Sequence, residues 1–146
     1  MTAILVHHAD AVGPHVDPQR PLSTTGHDQA ERIAREIAAR GLAPRAIWHS
    51  GKLRSRQTAE TILRIASPFA DFRMVRGLRP DDPVDWMRAD LTADDRDVLL
   101  VGHMPHIARL AHALAPDSAA FPLHGAIAFE RDGAGWKELW RFATNN

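Results

Sequence analysis

The feature that most constrains this chain is an alternation of two patterns. Short unbroken apolar runs stop abruptly at polar residues, and each is followed by a stretch with helical period. Ala3–His7, Ala46–His49 and Val98–Val101 are the apolar runs, and they predict buried strands. From Thr25, residues Ala30, Ile33, Ala34, Ile37 and Ala38 recur at helical spacing, with Gly41 where a C-terminal cap belongs. Leu53–Ile65 repeats the pattern, with Ala59, Ile62, Leu63 and Ala66 on one side and Ser67–Pro68 as its stop. Phe72–Val75 predicts an edge-like strand, Pro80–Asp85 an acidic, proline-broken loop, and Val84–Leu91 a short helix. Pro105 suits the first position of a helix running to about Leu114. Gly125–Glu130 and Trp136–Phe142 alternate around Asp132–Gly133, which predicts a terminal hairpin. The expected fold is therefore α/β: three αβα layers around a mostly parallel central sheet with antiparallel terminal strands. At 146 residues, one domain spanning 1–146 is expected.

Composition removes several classes of function. Lys plus Arg equals Asp plus Glu at 18 each, so no bulk basic field exists for nucleic acid. The absence of cysteine excludes disulfides, thiolate metal sites and cysteine nucleophiles. The longest apolar runs are four residues, against the ~20 that span a bilayer, so no membrane partner is expected. The N-terminus shows no basic region of a signal peptide, and a cytoplasmic location is the expectation. Sixteen of the basic residues are Arg, whose guanidinium forks suit phosphate, but 24 Ala beside them point to codon bias. Individual positions must carry the functional argument.

In open α/β sheets, ligands bind outside the carboxyl ends of the strands. His8, Ser50 and His103 each directly follow a predicted strand, which places them at one edge. Arg20 lies in the loop after the first strand, and Arg54 opens the helix after the second. Two arginines, two histidines and the helix N-terminus near Pro105 suit a multiply charged oxyanion. One histidine could attack phosphorus through a neutral nitrogen while the other donates to the phosphoryl oxygens.

At these residues the chain resembles the histidine phosphatase superfamily. Val6-His7-His8-Ala9-Asp10 is similar to its Arg-His-Gly signature, whose histidine is the phosphorylated nucleophile. Arg20-Pro21-Leu22-Ser23-Thr24-Thr25-Gly26 with Gln29-Ala30 resembles a second family segment. Ser50 to Thr58 resembles the segment that carries a phosphate-binding arginine, which falls on Arg54 and not Arg56. Gly102-His103-Met104-Pro105 resembles the segment of the second histidine. The four segments occur in order over roughly residues 3–130.

The resemblance implies a phosphoglycerate mutase-like fold, with His8, His103 and Arg54 catalytic and His7, Arg20, Arg54 and His103 binding phosphate. It implies neither metal nor cofactor. Only 49 positions separate Arg54 from His103, too few for the long lid that phosphoglycerate mutases insert there. The chain therefore looks most like the small SixA-type phosphohistidine phosphatases. The implied activity removes a phosphoryl group from phosphohistidine on a protein through a covalent intermediate on His8. A phosphorylated protein or small phosphorylated molecule is the expected partner, and oligomeric state is left open. Asp81 and Asp82 stand where a family acid would be expected, in a loop poorly suited to present one.

His7 is the main departure, because the signature has arginine there. Losing one preorganised donor of this kind typically costs about 10²–10³ in rate. The alternative is therefore a catalytically impaired relative that binds phosphate or phosphoprotein. A metal site of His7, His8, His103 and His106 is disfavoured, since His103-x-x-His106 lacks zincin spacing and its glutamate. Asp10 is expected to bond locally, and Trp48, Trp86, Trp136 and Trp140 to pack. His15, His27, His49, His112 and His124 are expected at the surface or in packing, although His124 precedes a strand and could border the pocket.

Overall fold

The computed structural model describes residues 1–144. In chain order its elements are β1 (Thr2–His7), α1 (Thr24–Ala39), β2 (Ala46–His49), α2 (Leu53–Ala66) and β3 (Asp71–Met74). They continue as α3 (Val84–Ala93), β4 (Val98–Gly102), α4 (His106–Leu114), β5 (Ala126–Asp132) and β6 (Gly135–Phe142). The six strands form one sheet in the order β3-β2-β4-β1-β5-β6. The first four of these neighbours pair in parallel, and β5 and β6 add antiparallel strands at one side.

The central strands are buried on both faces, which explains their unbroken apolar runs. On one face Ile4, Val6, Ile47 and Leu99 pack against Ile33 and Ile37 of α1 and Ile62 of α2. On the other, Leu5, Trp48 and Leu100 pack against Met87 and Leu91 of α3 and Ile107 and Leu110 of α4. Two cores, one per face, make the three expected layers.

Three details differ from expectation. Helix α4 begins at His106, and Pro105 occupies its N-cap after a cis Met104–Pro105 peptide. The hairpin turn centres on Gly133 and Ala134, because Asp132 still pairs with Gly135, and Gly133 supplies the positive φ of 62°. Trp86 is 49% exposed on α3, whereas Trp48 lies in the core and Trp136 and Trp140 pack at its margins.

Candidate active site

Parallel pairing of β1, β2 and β4 brings the residues just after them to one edge of the sheet. His8 continues β1, its backbone N–H donating to the Gly102 carbonyl at 3.0 Å. His103 follows β4, and its ring centroid lies 5.0 Å from that of His8. Ser50 follows β2, and its hydroxyl lies 2.6 Å from Nε2 of His103. The His7 ring, at the end of β1, lies 4.5 Å from that of His8 and joins the three residues predicted at this edge.

A fourth histidine joins it. His124 stacks on His7 at 4.8 Å and 13°, and its ring lies 6.0 Å from that of His8. The antiparallel pairing of Val6 with Ala126 brings the start of β5 to the end of β1, so the residues before β5 meet His7 and His8. The predicted hairpin carried this signal, but the residue-type pattern around His124 did not.

Hydrogen bonds define the ring states. Nδ1 of His8 lies 2.7 Å from the Ala9 carbonyl, which can only accept, so Nδ1 carries the proton and the Nε2 lone pair is free. Burial is the largest cause pushing the His8 pKa down to about 4, aided by the charges of Arg54 and Arg20, while the Ala9 bond opposes it. Burial is likewise the largest cause holding His7 at about 3 and His103 at about 2, and the neighbouring histidines, which resist sharing the site with a second charge, and Arg54 add to it. All three imidazoles are thus neutral at pH 7.

The two arginines converge electrostatically on this cluster. Burial and the Arg20 charge depress the Arg54 pKa, and Nε of Arg54 is buried with no hydrogen-bond partner among the described residues. An unpartnered buried guanidinium nitrogen is a costly arrangement that an oxyanion would relieve. Arg20 donates Nε to the Val12 carbonyl at 3.0 Å, and its φ of 52° places it in the left-handed region. A shallow depression lined by Pro18, Gln19, Gly51, Lys52, Arg54 and Arg56 adjoins the cluster on its basic side.

Other residues of the matched segments brace the loops instead. The Ser23 hydroxyl caps α1 by accepting the Gly26 N–H at 3.0 Å and donates to the Asp10 carboxylate at 2.6 Å. Gln29 accepts the Asp10 N–H, Gln57 the Leu22 N–H, and Thr58 the Ala9 N–H. Ser55 accepts the Ser50 N–H and donates to the Val101 carbonyl. At Gly26 a Cβ would come within 1.9 Å of the Asp10 carbonyl oxygen, so only glycine fits.

The grouping of His7, His8, His103 and His106, disfavoured as a metal site from the sequence, does not come together as a ligand set. His106 is fully buried, with neither ring nitrogen hydrogen-bonded, and Nε2 of His103 is engaged by Ser50. Among the described residues His7, His8 and His124 come nearest to a ligand set, with donor atoms within 4.8 Å of one another. Tetrahedral zinc needs donors roughly 3.4 Å apart. Nδ1 of His7, moreover, already accepts the backbone N–H of His124 at 2.8 Å. The Asp82 carboxylate accepts the Arg79 N–H within its own loop, and no hydrogen bond or ion pair among the described residues joins Asp81 or Asp82 to the histidines.

The strand ends of this α/β sheet thus gather neutral histidines beside two half-buried arginines, a set of groups whose charge and hydrogen-bonding capacity suit an oxyanion. The sequence profile of the histidine phosphatase superfamily (branch 1) matches residues 6–86. An uncharacterized protein of Picosynechococcus sp. is 33% identical over 111 residues, covering 73% of this chain and 67% of that protein. The chain belongs to the histidine phosphatase superfamily. Among solved structures, the protein histidine phosphatase SixA complexed with tungstate superposes with a TM-score of 0.87 at 22% identity, over 98% of this chain and 97% of that one. A putative phosphohistidine phosphatase SixA from Agrobacterium tumefaciens gives 0.83 at 24% identity, over 97% of each chain. A phosphoserine phosphatase mutant from Entamoeba histolytica, in complex with phosphoserine, gives 0.74 at 12% identity, over 99% and 98%. The fold is thus the phosphoglycerate mutase-like one. No helix among the described residues is long and apolar enough to cross a membrane.

Proposed function

We propose that this chain is a phosphatase acting on phosphohistidine, with His8 as nucleophile. The observation that carries this reading is the state of His8: neutral, with Nδ1 tied to the Ala9 carbonyl and the Nε2 lone pair free beside His103 and two cations. In the first step Nε2 attacks phosphorus, the P–N bond of the substrate breaks, and the leaving imidazole takes up a proton from solvent, which the hydrolysis of phospho-His8 by water returns. Water then attacks phospho-His8, releasing orthophosphate and restoring the lone pair.

Arg54 and Arg20 offset the charge of the phosphoryl oxygens, and His103 donates to them. The P–N bond is labile, so the reaction tolerates a weak general acid, in keeping with an Asp82 carboxylate occupied by the Arg79 N–H of its own loop. The short stretch between α2 and β4 holds only β3, α3 and their loops, which favours an open site able to admit a side chain of another protein. The fold shared with SixA supports the same substrate class.

A second reading, a phosphate-binding relative without turnover, is favoured by His7 in the place of an arginine. Turnover of a phosphohistidine peptide by wild type and His8→Ala distinguishes them. The phosphatase reading expects chelator-insensitive turnover that His8→Ala abolishes, with an acid-labile, base-stable phosphoryl label on His8 of the wild type. Phosphate binding with background turnover, and gain of activity in His7→Arg, would instead establish the second reading.

A further inference from the structure

Position 7 carries the one matched-segment residue whose replacement changes charge, and the structure holds that residue in a defined way. The backbone N–H of His124 donates to Nδ1 of His7 at 2.8 Å. The His124 ring lies flat against the His7 ring, and the His124 Nδ1–H donates to the His8 carbonyl at 2.8 Å. His124 itself is fixed: its φ is 52°, its carbonyl accepts the Thr144 hydroxyl at 2.8 Å, and its Nε2 faces the Asp10 carboxylate at 3.8 Å.

We infer that His7 serves this site as an uncharged hydrogen-bond donor, its Nδ1 held as an acceptor by the His124 backbone so that Nε2 carries the proton toward a phosphoryl oxygen. Neutral imidazole has one donor and one acceptor nitrogen, so a bond received at Nδ1 assigns the proton to Nε2. An imidazolium here would set two N–H donors against each other across 2.8 Å. The surroundings agree: His8, His103, His124 and Arg54 face His7, and none of them is anionic.

His124 is then a positioning residue, acting through His7 and the His8 backbone. The stack and the backbone bond do for a neutral ring what charge does for a guanidinium, which is to fix a donor in place before the oxyanion arrives. Arg54 and Arg20 remain the site's cations, so recognition here leans more on hydrogen-bond geometry and less on net charge.

The inference rests on the phosphoryl-binding reading, but its test does not require turnover. Nitrogen-15 spectra of the full-length chain labelled at histidine report which nitrogen of His7 is protonated. The expected result is a protonated Nε2 and an unprotonated Nδ1 from pH 5 to 8, with inorganic phosphate shifting the Nε2 signal. Phosphate titrations of His7→Gln and His7→Phe follow, because a glutamine amide nitrogen falls near the place of Nε2. His7→Gln should bind phosphate within about threefold of wild type, and His7→Phe at least tenfold more weakly.

A protonated Nδ1, a doubly protonated ring in the phosphate complex, or wild-type phosphate affinity in His7→Phe would overturn the inference. Should His7→Phe fail to fold, the wild-type spectrum alone decides. Failure of phosphohistidine turnover would count against the catalytic reading only, since the spectrum and phosphate affinity are read on the resting protein.

Discussion

The Ser50 hydroxyl and Nε2 of His103 form a buried hydrogen bond of 2.6 Å that links the end of β2 to the end of β4. The Ser50 oxygen also receives the Lys52 N–H at 3.3 Å, so the hydroxyl joins the backbone after β2 to the His103 ring. Nδ1 of His103, the other ring nitrogen, is buried with no partner among the described residues.

Ser50→Ala removes this polarising contact and leaves Nε2 unsatisfied. The expected costs are about 1–3 kcal/mol of stability and a kcat lowered about tenfold with a smaller change in KM. Steady-state kinetics beside urea denaturation separate the two. Equal kcat in Ser50→Ala and wild type would show that the hydroxyl has no hand in orienting His103.

Arg54 is half-buried, and its Nε has no partner, so a bound oxyanion should be its principal contact. Arg54→Ala should weaken inorganic phosphate binding at least tenfold and lower kcat/KM by about 10²–10³. Arg54→Lys should recover only part of this, because an ammonium cannot reproduce the planar fork. Calorimetric titration with phosphate checks both, and full recovery by lysine would show that charge alone matters.

Gly26 packs its α-carbon against backbone, where nothing can yield to a Cβ that would come within 1.9 Å of the Asp10 carbonyl. Gly26→Ala should therefore cost about 1–3 kcal/mol or more, seen as a lower urea midpoint. Because the displaced segment carries Asp10 and Ala9, the His8 bond to the Ala9 carbonyl should suffer with it. A Gly26→Ala protein as stable as wild type would contradict the packing described.

Acid should destabilise the protein through its own site. His7, His8 and His103 have folded pKa values of about 3, 4 and 2, below an ordinary histidine value near 6.5. Between those limits the unfolded chain binds more protons, so stability is full above about pH 6.5 and falls as pH drops through this window. Each histidine contributes a slope of up to about 1.4 kcal/mol per pH unit. Urea midpoints at pH 7.5, 6 and 5 should fall in that order, and a flat series would mean that the rings charge freely in the folded state.

Much of this was legible in the residues. Unbroken runs such as Val98–Val101 announced two-sided burial, and Gly41 and Ser67 marked where helices end. Those strand ends alone predicted the meeting of His8, Ser50 and His103. His124 was harder to place, because its proximity to His7 comes from β5 pairing antiparallel to β1, a contact across more than a hundred residues. The loop-bracing roles of Gln29, Gln57 and Thr58 were equally hidden, since one amide or hydroxyl reaching a distant backbone N–H leaves no periodic trace. The Pro105 position and the one-residue shift of the hairpin turn are boundary details that local propensity does not resolve.

The bonds from His124 to His7 and His8 span 117 and 116 residues. A chain emerging from the ribosome therefore displays its first two histidines long before the residue that orients them exists. The donor at position 7 and the backbone of position 8 acquire their final settings only when the last two strands dock. The pocket is thus finished only after β5 and β6 have been made, and a chain cut short before His124 would carry the matched segments without a finished site.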